Sequence, residues 1–193
     1  MAVIPERMTD ELEADGRRCA ESRIATLPVV EVLRQLGEVI RSVSDQQYTA
    51  KPAGIVDSSV GGHVRHCLDH VQAFLDSLAS GRLNYDLRER GTRVENCRQA
   101  ALDRIQQLQC ELLIRLSIPS NRPLTVSVLL EPGGRSMDVE SSAGRELSFV
   151  VSHTIHHNAL VGVIVRSQGV EPPAEFGCAP STLRYRAGKS CAR

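Results

Sequence analysis

Apolar residues recur at three- and four-residue steps in four separate stretches of the chain, which is the spacing of one face of an amphipathic helix. The four stretches cover residues 27–44, 57–79, 92–116 and 146–168. Asp57, Ser58 and Ser59 form a cluster of capping residues before the second stretch. Helices with such stripes bury them against one another, so the pattern predicts an all-α, up-down four-helix bundle.

The periodicity changes between the third and the last helix. Residues 124–130 are rich in β-formers, and residues 136–139 resume that pattern after Pro132, Gly133 and Gly134. Because proline and glycine favour turns, this connection is predicted to hold a small β-hairpin. The hairpin therefore lies between helices 3 and 4 of the predicted bundle.

The two ends of the chain lack the clear periodicity of the middle. Residues 1–26 are charged and weakly periodic, and we interpret them as a flexible lead-in. Residues 171–193 contain several prolines and glycines, which favour an irregular tail. The bundle is therefore predicted to occupy residues 27–170, and a chain of 193 residues suits one domain with a sizeable core.

Composition narrows the classes of function. The formal net charge is zero, aromatic residues make up 3% of the chain and tryptophan is absent, which argues against nucleic acid and anionic membranes as partners. No apolar run of about 20 residues is free of charges and histidines, and the first residues lack the apolar segment of a signal peptide. The six cysteines are scattered without a C-x-x-C pair, which favours a reducing compartment. We therefore expect a cytoplasmic protein with a small-molecule substrate, as a monomer or a homodimer.

The last predicted helix carries two histidines on its apolar face. His153 and His157 are four residues apart and share that face with Val150 and Leu160. Placing two imidazoles toward a core costs desolvation free energy, and a bound divalent metal would explain them. His156 points about a quarter-turn away and is interpreted as a surface residue.

The second predicted helix offers a third metal ligand. It holds His63, His66 and His70, and it is expected to face the last helix across the bundle. Three protein ligands with open positions are typical of a reactive metal site. The H-x-x-x-H spacing occurs by chance, so the alternative is that these histidines are ordinary polar residues beside the core.

Two segments resemble a known family. VGGHVRHCLDH in the second helix and HTIHHNAL in the last are similar to the DinB-like, YfiT-type metalloprotein superfamily. This resemblance implies a four-helix bundle with a three-histidine metal site, in which one ligand lies on the second helix and an H-x-x-x-H pair on the last. It assigns the ligands to His66, His153 and His157, with His63 as the second choice for the first position. A tryptophan that is common in the family is absent near Gly62, so the resemblance does not define the shape of the pocket.

The resemblance also implies a class of chemistry. Family activities include transfer of a low-molecular-weight thiol, thiol-dependent isomerisation and metal-assisted hydrolysis. We expect a metal-dependent enzyme that activates a thiol or water nucleophile, with zinc, nickel or iron as the ion and thiol transfer ahead of hydrolysis. The alternative is a non-catalytic helical bundle that binds a partner or small ligand and has structural or vestigial histidines. No glutamate stands directly beside the histidine pair, which keeps this alternative open.

The connection after the second helix contains charged residues with two interpretations. Tyr85, Asp86, Arg88 and Arg90 either lie at the mouth of the site, where the arginines would hold an anionic substrate, or form a solvated loop. Asp69 either orients a ligand imidazole or is a surface acid.

Overall fold

The computed structural model describes residues 26–54, 56–115 and 118–190, so the predicted lead-in over residues 1–26 lies outside the described residues apart from Thr26. The helices are α1 Leu27–Ser42, α2 Asp45–Thr49, α3 Val60–Ser80, α4 Arg93–Asn96, α5 Arg98–Ile114, α6 Ala143–Ser167 and α7 Pro180–Ser190. The strands are β1 Arg82–Leu83, β2 Pro123–Val128 and β3 Met137–Ser142.

Helices α1, α3, α5 and α6 form the predicted four-helix bundle, with α3 against α5 and α6 and with α1 against the same two helices. Each helix buries the stripe that its sequence predicts, since apolar burial is the main favourable term in packing. Fully or almost fully buried members include Leu33, Leu36, Ile40, Val64, Val71, Ala101, Leu108, Val150 and Ile164. The all-α fold with a small sheet is therefore confirmed.

Helix α3 has clear end signals. The side chain of Ser59 accepts a hydrogen bond from the backbone N–H of Gly62, which caps the first turn. At the other end Gly81 adopts a left-handed conformation, with φ of 72°, and closes the helix. The predicted limits of this helix, residues 57–79, agree with Val60–Ser80 to within three residues.

The third predicted helix, residues 92–116, is interrupted in the structure. Cys97 has extended backbone angles and separates the short helix α4 from α5. The hydroxyl of Tyr48 donates a 2.8 Å hydrogen bond to the carbonyl of Val94, and this contact ties α4 to helix α2. Helix α2 lies between the first two predicted helices, and its start is fixed by a reciprocal capping box of Ser44 and Gln47.

The hairpin is present and is extended by a third strand. Strands β2 and β3 pair antiparallel from Pro123↔Ser142 to Val128↔Met137. Strand β1 pairs parallel with β2 and was not predicted, because two residues are too few to show a period. Ser142 ends β3 and caps α6, so the sheet leads directly into the helix that carries His153.

The expectation of an irregular tail is wrong for Pro180–Ser190, which form helix α7. Proline at the first helical position costs little, because that position has no intrahelical N–H partner. Before this helix, Phe176 is buried in the core. Gly177 has φ of 71°, and a Cβ there would lie 2.5 Å from the backbone of Ala159, so the tail can approach α6 closely.

Helix α6 is long and apolar enough, by length and composition alone, to cross a membrane. Core helices of soluble proteins meet the same two criteria. Helix α6 packs against α1 and α3 and has the fully buried carboxylate of Glu146 in its first turn.

Candidate metal centre

Helices α3 and α6 bring five imidazole rings together in what we term the histidine cluster. Its members are His63, His66 and His70 from α3 and His153 and His157 from α6. Ring centroids are 4.8 Å apart for His66 and His153, 4.2 Å for His70 and His153, and 5.1 Å for His63 and His157. The second and last predicted helices therefore meet at their histidines.

Three members of the histidine cluster are positioned to hold a metal ion. One ring nitrogen from each of His66, His70 and His153 lies within 4.8 Å of the other two. The Nε2 atoms of His66 and His153 are 2.9 Å apart. The Nδ1 atom of His70 is 2.9 Å from the carbonyl oxygen of His66, and a carbonyl can only accept. Nδ1 of His70 therefore carries the proton, which leaves its Nε2 lone pair for an ion, as in most metal-binding histidines.

The other two members face each other. The Nδ1 atoms of His63 and His157 are 2.9 Å apart, so one donates and the other accepts. His63 is only 9% exposed, and its Nε2 atom is buried without a hydrogen-bond partner among the described residues. Such an atom destabilises the fold unless a ligand, an ion or water satisfies it. His156 is exposed and packs edge-on against His157, outside these contacts, as its position on the helix predicts.

The predicted ligands His66, His153 and His157 all lie in the histidine cluster, but the nitrogens of His66 and His153 converge with His70. From the sequence, His70 is one of three candidates on its helix, and His66 and His63 come before it. A signal for it exists in the sequence, because His66 and His70 repeat the four-residue spacing of His153 and His157. Such a pair presents two nitrogens on one helical face.

Burial favours the uncharged form of His63, His70, His153 and His157 by lowering the pKa of each ring. It lowers the pKa of His70 and His153 to about 4 and that of His157 to about 3. The pKa of His63 is also lowered, chiefly by burial. Neighbouring imidazoles lower the pKa of His153 and His157 further. Neutral imidazole is the form that binds metal, so protons do not compete at neutral pH.

A tyrosine and a buried glutamate support one side of the histidine cluster. The ring of Tyr85 stacks on His70 at 4.8 Å and 9°, and its hydroxyl donates a 3.0 Å hydrogen bond to Glu146. Glu146 is fully buried and also accepts from Ser141 at 2.5 Å and from Arg145 at 2.8 Å. These contacts hold Tyr85 in place. Burial and Glu146 both raise the pKa of Tyr85, so its hydroxyl stays protonated.

A cavity of about 390 Å³ opens beside the histidine cluster. We term it the basic pocket, and its lining residues are Lys51, Asp57, Ser58, Gly62, His63, Arg65, His66, Arg88, Arg90, Gly91, Glu95 and His157. Arg88 and Arg90 therefore lie at the mouth of the site. Nη1 of Arg88 is 3.4 Å from Nε2 of His66. Burial lowers the pKa of Arg88, and the like charges of Arg65 and Arg90 lower it further.

The carboxylate of Asp69 binds an arginine and not a ligand imidazole, which was one of its two predicted roles. Its carboxylate accepts a 2.8 Å bond from Arg65, which also pairs with Glu95 at 2.9 Å. Its pKa is raised, with burial as the largest cause, although Arg65 acts in the opposite direction. Asp69 thus helps to fix a guanidinium of the basic pocket.

Comparison with known proteins agrees with this architecture. The chain is 38% identical over 104 residues to FK506-binding protein 5 of Rhizopus delemar, a match that covers 53% of this chain and 27% of that protein. The chain thus spans about a quarter of the length of that relative. The crystal structure of the DinB-like protein YjoA of Bacillus subtilis is similar in fold, with a TM-score of 0.53 and 18% identity. That likeness covers 80% of this chain and 99% of YjoA. The DinB superfamily profile matches residues 29–161, more than half of the chain, so this chain belongs to the DinB superfamily.

Proposed function

We propose that this chain is a metal-dependent enzyme that activates a thiol or water nucleophile, with thiol transfer ahead of hydrolysis. The observation that carries the proposal is the convergence of His66, His70 and His153, whose ligand atoms come from two helices and lie within 4.8 Å of one another. Superfamily membership supports the same class of chemistry.

The donor set fits a divalent ion. Three imidazoles, of which those of His70 and His153 have a pKa lowered to about 4, leave at least one coordination position open, which is typical of reactive rather than structural sites. Imidazole ligands suit zinc, nickel and iron alike. When bound, such an ion lowers the pKa of a thiol or water that it contacts and so supplies a nucleophile at neutral pH.

The surrounding residues give a small molecule access to the histidine cluster. The basic pocket is lined by His63, His66 and His157, so a molecule bound there contacts the ring edges directly. Cys67, Cys97, Cys110 and Cys178 are free thiols, which supports a reducing, cytoplasmic location where low-molecular-weight thiols are abundant.

Activity of the zinc-loaded and the metal-free protein tests the proposal. Glutathione with a chlorodinitrobenzene electrophile measures thiol transfer, and a nitrophenyl ester measures hydrolysis. We expect one of these rates to exceed the uncatalysed rate only with metal, and to disappear in His153→Ala while the circular dichroism spectrum stays helical. Equal rates with and without metal would contradict the proposal.

The second candidate function is a non-catalytic bundle that binds a partner or small ligand. It is favoured by the two 2.9 Å contacts, His63 with His157 and His66 with His153, because paired neutral imidazoles satisfy one another without an ion. Chelation separates the two candidates. An enzyme keeps its fold and loses its rate on metal removal, whereas a bundle with paired histidines keeps its fold and has no metal-dependent rate to lose.

A further inference from the structure

We infer that the basic pocket binds a small organic anion, whose carboxylate or phosphate group is held by Arg88, Arg90 and Lys51 next to the histidine cluster. This inference rests on the proposed function only in that the bound anion would be the substrate. Binding itself is a property of the pocket and can be measured without turnover.

The charges that line the basic pocket are unbalanced. Of its four cations, Arg65 is paired with Asp69 and Glu95. Among the described residues, no ion pair involves Lys51, Arg88 or Arg90. Besides Glu95, Asp57 is the only carboxylate among the described residues that lines the pocket. An oxyanion would neutralise this excess of positive charge, and guanidinium groups bind carboxylate and phosphate through paired hydrogen bonds.

The amino terminus of helix α3 adds to the positive potential. The pocket is lined by Asp57, Ser58 and Gly62, which flank the first turn of this 21-residue helix. The helix dipole makes such a terminus favourable for anions, while the N–H of Gly62 is already bonded to the Ser59 side chain. Gly62 has no side chain, so the backbone itself forms part of the pocket wall.

A residue of the same wall has an unsatisfied buried atom. His63 lines the basic pocket, is 9% exposed, and has no hydrogen-bond partner for its Nε2 atom among the described residues. The polar part of a bound molecule would satisfy it. This observation is independent of the cations and points to the same cavity.

The size of the cavity restricts the ligand. Its volume of about 390 Å³ lies at the lower end of small-molecule sites, which span roughly 300–1,000 Å³. A polyanion such as nucleic acid needs a larger basic surface, and the chain has a net charge of zero. The geometry therefore favours a molecule with one or two oxyanion groups.

Titration with inorganic phosphate and with succinate, followed by amide chemical shifts, tests the inference. Both the zinc-loaded protein, freed of excess zinc, and the metal-free protein are titrated. We expect saturable binding of at least one anion in both forms, with shifts at the start of α3. The better ligand shows whether the natural group is a phosphate or a carboxylate.

Charge-matched variants locate the site. Arg90→Gln and Lys51→Gln should each weaken binding by about 10-fold, the effect of losing one charge-assisted hydrogen bond. Arg135→Gln removes the same charge from the hairpin turn, where the residue is exposed and outside the basic pocket, and should leave affinity unchanged.

The outcomes separate this inference from the proposed function. Absence of saturable binding, equal weakening by Arg135→Gln, or binding only in the zinc-loaded form would overturn the inference and leave the metal site intact. A different outcome is that the wild-type protein takes up no zinc but binds the anion, and that Arg90→Gln weakens this binding. That outcome would support the inference and remove the proposed metal chemistry.

Discussion

The Nε2 atoms of His66 and His153 lie 2.9 Å apart, although the residues belong to different helices and are separated by 87 positions. Two unprotonated imidazole nitrogens would repel at this distance, so one of them must carry the proton or an ion must lie beside both. His70 provides a third lone pair near the same point. This relationship positions three members of the histidine cluster to hold a metal ion, and the first prediction follows from it.

The first prediction separates the two candidate third ligands. His70→Gln should weaken zinc binding by at least about 10-fold, because it removes a nitrogen that converges with those of His66 and His153. His157→Gln should have a smaller effect on zinc binding, since Nδ1 of His157 contacts Nδ1 of His63 at 2.9 Å. Competition with a chromophoric zinc chelator measures both affinities. The reverse order would restore the ligand set implied by the family resemblance.

The second prediction concerns pH. The pKa values of His70 and His153 are about 4 and that of His157 is about 3 in the folded protein, against an ordinary value of 6.5. The unfolded chain therefore binds more protons between pH 6.5 and 4, and stability falls as pH decreases through this window. Above pH 6.5 both states are neutral and stability is independent of these groups. Solvent reaches the half-buried rings, so the decrease in the free energy of unfolding is smaller than it would be for fully buried rings.

Thermal unfolding of the metal-free protein at pH 7.5 and pH 5 measures this effect. We expect a Tm lower at pH 5 by at least about 2–4 °C, the shift for roughly 1 kcal/mol in a chain of this length. His153→Gln should reduce the difference, whereas His156→Gln changes an exposed ring and should keep most of it. A Tm that rises on acidification would refute the burial of neutral histidines.

The third prediction concerns the support of His70 by Tyr85. Glu146→Gln should destabilise the fold by about 1–3 kcal/mol, because one amide oxygen cannot accept from Tyr85, Ser141 and Arg145 together. Zinc affinity should fall about 10-fold, since Tyr85 is no longer fixed against His70. Glu140→Gln is the matched control on the exposed strand β3 and should change neither quantity. An unaltered zinc affinity in Glu146→Gln would show that the stacking does not matter.

The fourth prediction tests the contact between α3 and α4. A Cβ at Gly61 would lie 2.0 Å from the carbonyl oxygen of Glu95 and 2.8 Å from the ring of Tyr48. Gly61→Ala should therefore destabilise the protein by about 1–3 kcal/mol in denaturant unfolding. Gly188→Ala, at an exposed position of α7 with open space around it, should be neutral or slightly stabilising. Equal stability of the two variants would contradict the close packing of α4 on α3.

The bundle could be predicted because each long helix has an apolar stripe that is buried in the structure. Strand β1 and helix α2 could not, since each is too short to show a period. The break at Cys97 follows a turn that is bonded to Tyr48, 46 residues earlier in the chain, and local sequence does not show such a contact. Helix α7 does not follow from composition, because proline and glycine generally favour irregular structure, whereas proline at the first helical position is tolerated.

The candidate site was predictable in part. Spacing placed His153 and His157 on one face, and the resemblance added His66. Which nitrogens converge depends on the rotation of α3 against α6, and this rotation is set by packing rather than by local sequence. Tyr85 stacks on His70 and donates a hydrogen bond to the buried Glu146. The sequence shows that Glu146 is an acid in a mostly apolar helix, but it does not show that Tyr85 is its partner.

The metal content of the purified chain, measured by elemental analysis, tests the central claim most directly. We predict about one divalent ion per chain in the wild type, as three convergent imidazoles bind one ion, and almost none in His153→Ala with the helical fold retained. A wild-type protein without metal, or a His153→Ala variant with unchanged content, would contradict the claim that the histidine cluster is a metal centre.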